Sequence, residues 1–222
     1  MPPASPFFCF RSPLPMPDRN PPSPFDRRHQ ALDLPSKLVV ALERIAEAFR
    51  VALWEQAKGR GLSPLQVQIL VFLHFHPRAH RKVSFIAREF HMTKATVSVA
   101  ITTLAEKGLL RKETAPDDAR AFELHLTPAG ERLADEIAGF SEPVREVLRA
   151  FPPEEQEHFL ILLLRTIEGL QRQGLVHPQR MCFNCRHYQS NGQEHYCRLL
   201  EKNLPPADLR VDCPEFEAPP SL

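Results

Sequence analysis

The chain has 222 residues, with 28 Lys and Arg set against 27 Asp and Glu, so any attraction to nucleic acid or a membrane surface must come from local charge rather than from the whole. Its longest wholly apolar run, Phe159 to Leu164, is far short of the ~20 residues that a membrane-spanning helix needs. Phe7 to Phe10 is too short and proline-flanked to be the apolar core of a signal peptide, which gives the expectation of a cytoplasmic protein with reduced thiols.

The 23 prolines mark the boundaries. Ten fall within residues 1–35, a stretch without apolar periodicity that is expected to be a disordered tail. Residues 36–174 hold seven and read as the globular part. Six more follow residue 175, where 175–181 reads as a linker into a cysteine-rich module at 182–217.

Leu38, Leu42, Ile45, Phe49 and Leu53 recur at three- and four-residue steps and predict a long amphipathic helix capped by Ser36 and running to Gly59. Ser63-Pro64-Leu65-Gln66 combines a capping hydroxyl, a proline at the first helical position and a glutamine that can reach back, opening a second helix to about His76. Ser84 is expected to cap a short helix to Phe90, and Thr93 another from Lys94 to Lys107, closed by Gly108; together they form a helix-turn-helix. Leu110 to Glu113 and Phe122 to Leu126 alternate as strands around the turn residues Pro116-Asp117-Asp118. Thr127-Pro128 caps a helix predicted from Ala129 to about Ala150 with a kink at Pro143, and Pro153-Glu154-Glu155 opens a last helix reaching Gly169 or beyond.

A helix-turn-helix followed by a two-stranded hairpin is the winged-helix order, so the fold class is mainly α with a small β wing, flanked by helices available for dimerisation. From Arg78 to Lys112 eight basic residues face only Glu89 and Glu106, which concentrates positive charge where duplex phosphates would lie.

The residues that carry this order resemble the MarR family of bacterial transcriptional regulators. The resemblance rests on Leu62 to Gln66, on Thr93-Lys94-Ala95-Thr96-Val97-Ser98 through Arg111, and on Asp118-Ala119-Arg120-Ala121 through Leu126-Thr127-Pro128-Ala129-Gly130, within about residues 36–174. It implies a homodimer acting on double-stranded DNA, commonly a repressor on a palindromic operator, released by a small molecule or by oxidation. It also implies that Thr93, Lys94, Thr96 and Ser98 face bases and phosphates, while Arg120, oriented by Asp118, enters the minor groove. Two departures stand out: Val99 where the family often has Arg, and Ala119 where the wing often has a second basic residue. Both predict fewer charge-assisted contacts and a shallower salt dependence.

Phe159 to Leu164, with Ile167 and Leu170, is apolar nearly all round a helix and needs more than one partner surface, which points to the same helix and the Leu38 to Leu53 helix of a second copy. Four of the five cysteines, Cys182, Cys185, Cys197 and Cys213, form a set of thiolates suited to a structural or sensory zinc; an iron-sulfur cluster takes the same ligands, and Pro214 after the last cysteine is compatible with one. His187 and His195 flank this set, and Cys9 reads as a bystander. No phosphate-binding glycine loop, HExxH or Gly-x-Ser-x-Gly motif is present, so an enzyme is not expected. The competing readings are a redox or electron-transfer module and a protein-interaction adaptor built on a winged-helix scaffold.

Overall fold

The computed structural model describes residues 23–115 and 118–220, with the side chains of 115–121 outside the description. The chain divides into two units, residues 1–49 and 50–222.

The first unit holds α1 (Arg27–Leu32) and most of α2 (Leu34–Lys58). Helix therefore begins within the stretch expected to be a disordered tail, whose first 22 residues lie outside the described ones. The cause is capping chemistry that the proline count obscured. Asp26 accepts from the Arg28 N–H at 2.9 Å, and the Asp33 carboxylate accepts from the Ser36 N–H at 2.8 Å. Ser36 is thus inside α2 with its hydroxyl bonded back to Asp33, and is not the cap.

The second unit contains the helix-turn-helix and wing. Leu53 and Ala57 at the end of α2 join a core made by Val67, Ile69, Leu70 and Leu73 of α3 (Pro64–Phe75), Ile86 of α4 (Val83–Glu89), and Val97, Ile101 and Leu104 of α5 (Lys94–Glu106). The expected capping box is formed, with Ser63 N–H donating to Gln66 Oε1 at 2.9 Å and Gln66 N–H to Ser63 Oγ at 3.3 Å. Ser84 does not cap α4; Lys82 occupies that position without a side-chain bond. The wing pairs β1 (Leu110–Ala115) with β2 (Asp118–Leu126) antiparallel, Leu110 opposite Leu126 and Lys112 opposite Leu124, so both strands exceed their expected lengths.

α6 (Pro128–Ile137) and α7 (Glu142–Arg149) replace the single kinked helix expected over 129–150. A 3₁₀ turn at Ala138–Ser141 separates them, and Pro143 sits in the first turn of α7, where its missing N–H costs nothing. α8 (Pro153–Arg172) follows.

The cysteine-bearing segment is not an appendage on a free linker. β3 (Tyr188–Ser190), β4 (His195–Cys197) and β5 (Lys202–Asn203) form a small antiparallel sheet. Met181, at the end of the expected linker, is fully buried with Cys182, Leu204 and Leu209 against Leu164 of α8. Ile161 and Ile167 pack on the same cluster. Part of the apolar excess of α8 that the sequence assigned to a second copy is therefore covered from within the chain.

The junction between α5, the wing and α6 turns on Gly130. A Cβ at this position would lie 1.9 Å from the Leu109 carbonyl oxygen, a backbone atom that cannot swing aside. The Thr127 hydroxyl holds the approach, donating to Gly108 C=O at 2.7 Å and accepting from Gly130 N–H at 3.1 Å, while Thr127 N–H donates to Leu109 C=O at 3.1 Å. The Gly130→Ala substitution should lower folding stability by about 3 kcal/mol, the upper range for overpacking, read as a fall in the urea midpoint with the slope retained.

Candidate nucleic-acid interface and thiol cavity

α5 is built with two faces. Val97, Ala100, Ile101 and Leu104 are buried, whereas Lys94, Thr96, Val99 and Thr102 are exposed. Thr93 caps the helix, accepting from Thr96 N–H at 3.1 Å, and its hydroxyl lies 2.8 Å from that of Thr96. Of the four expected contact residues, Thr93, Lys94 and Thr96 cluster at the exposed start of α5, and Ser98 is half-buried one turn on. Val99 was read in the sequence only as a missing arginine; it is 68 % exposed on the outward face, beside Ser98, Thr102 and Thr103 along a shallow groove. A large aliphatic side chain held in solvent mid-helix is the signal that periodicity alone could have given, since Val97, Ala100, Ile101 and Leu104 already fill the inward face at three- and four-residue steps.

The wing is anchored to the helix-turn-helix rather than only to itself. Leu124 N–H donates to Arg81 C=O at 2.9 Å, and Lys82 bridges to Glu123, so β2 is tied to the segment just before α4. The side chains of Asp118 and Arg120 lie outside the described residues; their backbone continues β2. Lys112 of β1 reaches back to the Thr102 hydroxyl at 3.2 Å, linking strand and α5.

The local positive charge is partly committed. Arg78 lies 3.5 Å from Glu123, Arg111 Nε donates to Glu113 at 2.6 Å, and the Arg88 guanidinium sits 5.1 Å from the Phe85 ring centroid. The Arg111 hydrogen bond holds the Glu113 carboxyl below its ordinary value. Counting charges from Arg78 to Lys112 leaves these pairings out, because Glu113 follows directly on that stretch and Glu123 returns to it only through the hairpin.

The four cysteines form a second constellation. Cys182 is buried, Cys185, Cys197 and Cys213 are half-buried, and all are free thiols. All four line one small cavity, together with Tyr188, Leu199, Leu200 and Leu204, and with His187 and Glu215. His195 turns instead to the Tyr188 hydroxyl, 2.6 Å from its Nδ1. Among the described residues, no group of three or more His, Cys, Asp or Glu side chains is arranged to hold a metal ion. Arg210 N–H donates to Cys182 Sγ at 3.2 Å, and its guanidinium lies 3.5 Å from Cys213 Sγ. Burial pushes the Cys182 and Cys213 thiols above their ordinary pKa. Cys9 lies outside the described residues.

The cysteine-bearing segment meets the helix-turn-helix through Arg180 and Asp212. Arg180 Nε donates to Asp212 Oδ1 at 2.8 Å, and Asp212 Oδ2 is 3.1 Å from His76 Nε2 at the end of α3. Burial works to raise the Asp212 carboxyl, but the hydrogen bond and charge of Arg180 outweigh it and hold the group below the usual carboxylate value. No helix among the described residues is long and apolar enough to cross a membrane.

Comparison with known proteins places this geometry. Residues 60–121, which span α3, the helix-turn-helix and the start of β2, match the model of the MarR family. The chain is 27% identical over 136 residues to the HTH-type transcriptional repressor YetL of Bacillus subtilis, covering 60% of this chain and 81% of the relative. It is 23% identical over 146 residues to the HTH-type transcriptional repressor MdtR of the same organism, covering 64% and 93%. Among solved structures, the MepR–DNA complex of Staphylococcus aureus matches with a TM-score of 0.54 at 20% identity, over 60% of this chain and 97% of that one.

If Thr93 acts on the fold as the cap of α5, Thr93→Ala should cost about 1 kcal/mol of stability and Thr93→Ser almost nothing, measured by thermal unfolding. Residues 60–121 match the MarR family, and the fold around them is the MarR-like winged helix.

Proposed function

We propose that this protein is a DNA-binding transcriptional regulator, a repressor acting as a homodimer on a palindromic operator. The observation that carries the reading is the outward face of α5: Lys94, Thr96, Val99 and Thr102 are exposed on a helix whose opposite face is fully used by the core. Lys94 is suited to a phosphate, Thr96 to a base edge or phosphate, and Val99 to a thymine methyl group in the major groove. The relatives named as repressors and the neighbour solved with DNA support the same reading.

Val99 changes what the departure from the family pattern means. An arginine there would add a charged contact with a guanine or phosphate; a valine offers an apolar one, favouring A·T pairs at that step with less electrostatic affinity. Lys94→Ala is expected to weaken binding to duplex fragments from beside its gene about equally across sequences and to reduce the salt slope by about one. Val99→Ala is expected to leave the salt slope unchanged and to relax preference for one base pair by about 1 kcal/mol or more. Binding that ignores both substitutions in dilute salt would overturn the reading, as would the loss of only non-specific binding.

The homodimer is supported by α2, which leaves Leu38, Leu42, Ile45 and Phe49 exposed at helical spacing. Two-fold symmetry would set two recognition helices about one duplex turn, roughly 34 Å, apart. Leu42→Glu should shift the protein from dimer to monomer in sedimentation experiments and abolish operator binding at nanomolar protein while far-ultraviolet circular dichroism is retained. The reading also gives Cys182, Cys185, Cys197 and Cys213 a metal, zinc or an iron-sulfur cluster, on the ground that all four thiols border one cavity.

A further inference from the structure

α4 is the weakest element of the helix-turn-helix and the one that aims the strongest. It has seven residues, begins at Lys82 without a side-chain cap, and gives the core only Ile86 and Ala87 as buried side chains. A helix this short does not hold itself in water. Its end sets the entry to α5, because Met92 N–H donates to Ala87 C=O at 2.8 Å just before the Thr93 cap. Whatever holds α4 from outside therefore also governs how α5 is presented.

That support comes from the segment after α8. Arg180 has a side chain only 15 % exposed, and its base is fixed by Cys213 N–H donating to its carbonyl at 2.7 Å. Arg180 Nε donates to Asp212, which in turn lies 3.1 Å from His76 at the end of α3. The guanidinium then reaches α4, lying 5.1 Å from the Phe85 ring centroid and 3.8 Å from the Glu89 carboxylate. Phe85 is half-buried and stacks on His80 with centroids 4.3 Å apart. Arg88 also lies over this ring, but it belongs to α4 and moves with it; Arg180 comes from a different part of the chain and can hold the helix in place. At the next turn His91, at φ 51°, stacks on His177 with centroids 4.9 Å apart. Residues 177–180 thus touch both α4 and the turn that leads into α5.

We propose that Arg180 is a positioning residue for DNA recognition: it clamps Phe85 and Glu89 and so fixes the angle at which α4 presents α5 to the duplex. The proposal rests on the reading of the protein as a DNA-binding regulator. Arg180 is too buried to serve a phosphate, so it acts on geometry and leaves the charge offered to the duplex unchanged.

The test compares the full chain with Arg180→Gln, Arg180→Lys, Phe85→Leu and the Arg180→Lys, Phe85→Leu double variant. Each is titrated, over a range of salt, with duplex fragments tiling the region beside its gene and with an unrelated duplex of equal length. Amide exchange over residues 83–92 and the urea midpoint are measured alongside. Arg180→Gln is expected to bind the preferred fragment about tenfold more weakly, within the usual range for coupling between sites. Its salt slope and its binding to the unrelated duplex should stay as in the wild type, while exchange over residues 83–92 becomes faster than in α8. Arg180→Lys, which keeps the charge beside Glu89 but loses the planar face, should recover part of the loss and have no further effect once Phe85 is leucine. A salt slope reduced by about one would make Arg180 a direct phosphate contact and overturn the proposal. A lowered urea midpoint with wild-type affinity for the preferred fragment would reduce it to a structural residue and overturn it equally. If Arg180→Gln does not fold, Arg180→Lys decides by the same measures, and wild-type affinity with wild-type exchange overturns the clamp. A wild-type chain that binds no duplex overturns the regulator reading, whereas faster exchange over residues 83–92 in the variants would still support the clamp on α4.

Discussion

The contact on which the rest of the winged helix depends is the close approach of the Leu109 carbonyl to Gly130. It joins three things in one place: the end of α5, the entry to β1 and the first turn of α6. Thr127 serves both sides, bonding to Gly108 just past the end of α5 and capping α6. Because the two strands of the wing begin and end at this junction, their orientation relative to α5 is set by backbone packing rather than by exposed side chains. A second tie, from Leu124 to Arg81, fixes the same ribbon to the segment before α4. With the hairpin held at both places, Lys94 and Val99 face outward from α5 and take no part in its packing.

That division of labour explains the electrostatics. A nearly neutral chain in which Arg78 and Arg111 are already paired to Glu123 and Glu113 has little bulk attraction for polyanions. The basic residues that these carboxylates leave are spread over the segment before α4, α4 itself, α5 and β1, where Lys112 contacts Thr102. Val99 adds an exposed apolar side chain to the outward face of α5.

Much of this was legible in the sequence where local chemistry and periodicity agreed. The Ser63 to Gln66 capping box, the Thr93 cap and Gly108 at φ 69° all appear where their residue types placed them. The misreadings came from signals with two meanings. Prolines up to residue 35 suggested disorder, yet Asp26 caps the start of α1 and Asp33 that of α2. Ser84 looked like a cap but lies one residue inside α4. Pro143 looked like a kink within a helix and is instead the start of one. The pairings of Arg78 and Arg180 were invisible because they join residues 45 and 32 positions apart, brought together only by tertiary folding. For the same reason the sequence showed four cysteines of suitable type but not that a single apolar space lies among them.

Leu164 belongs to the helix that an ordinary bundle would reserve for self-association, and here it is sealed by Met181, Leu204 and Leu209. The C-terminal module is consequently part of the scaffold's solubility. Shortening the chain before Met181 would bare a greasy stripe on α8 and invite promiscuous sticking, so the module cannot be removed as a separate cassette without redesigning that helix.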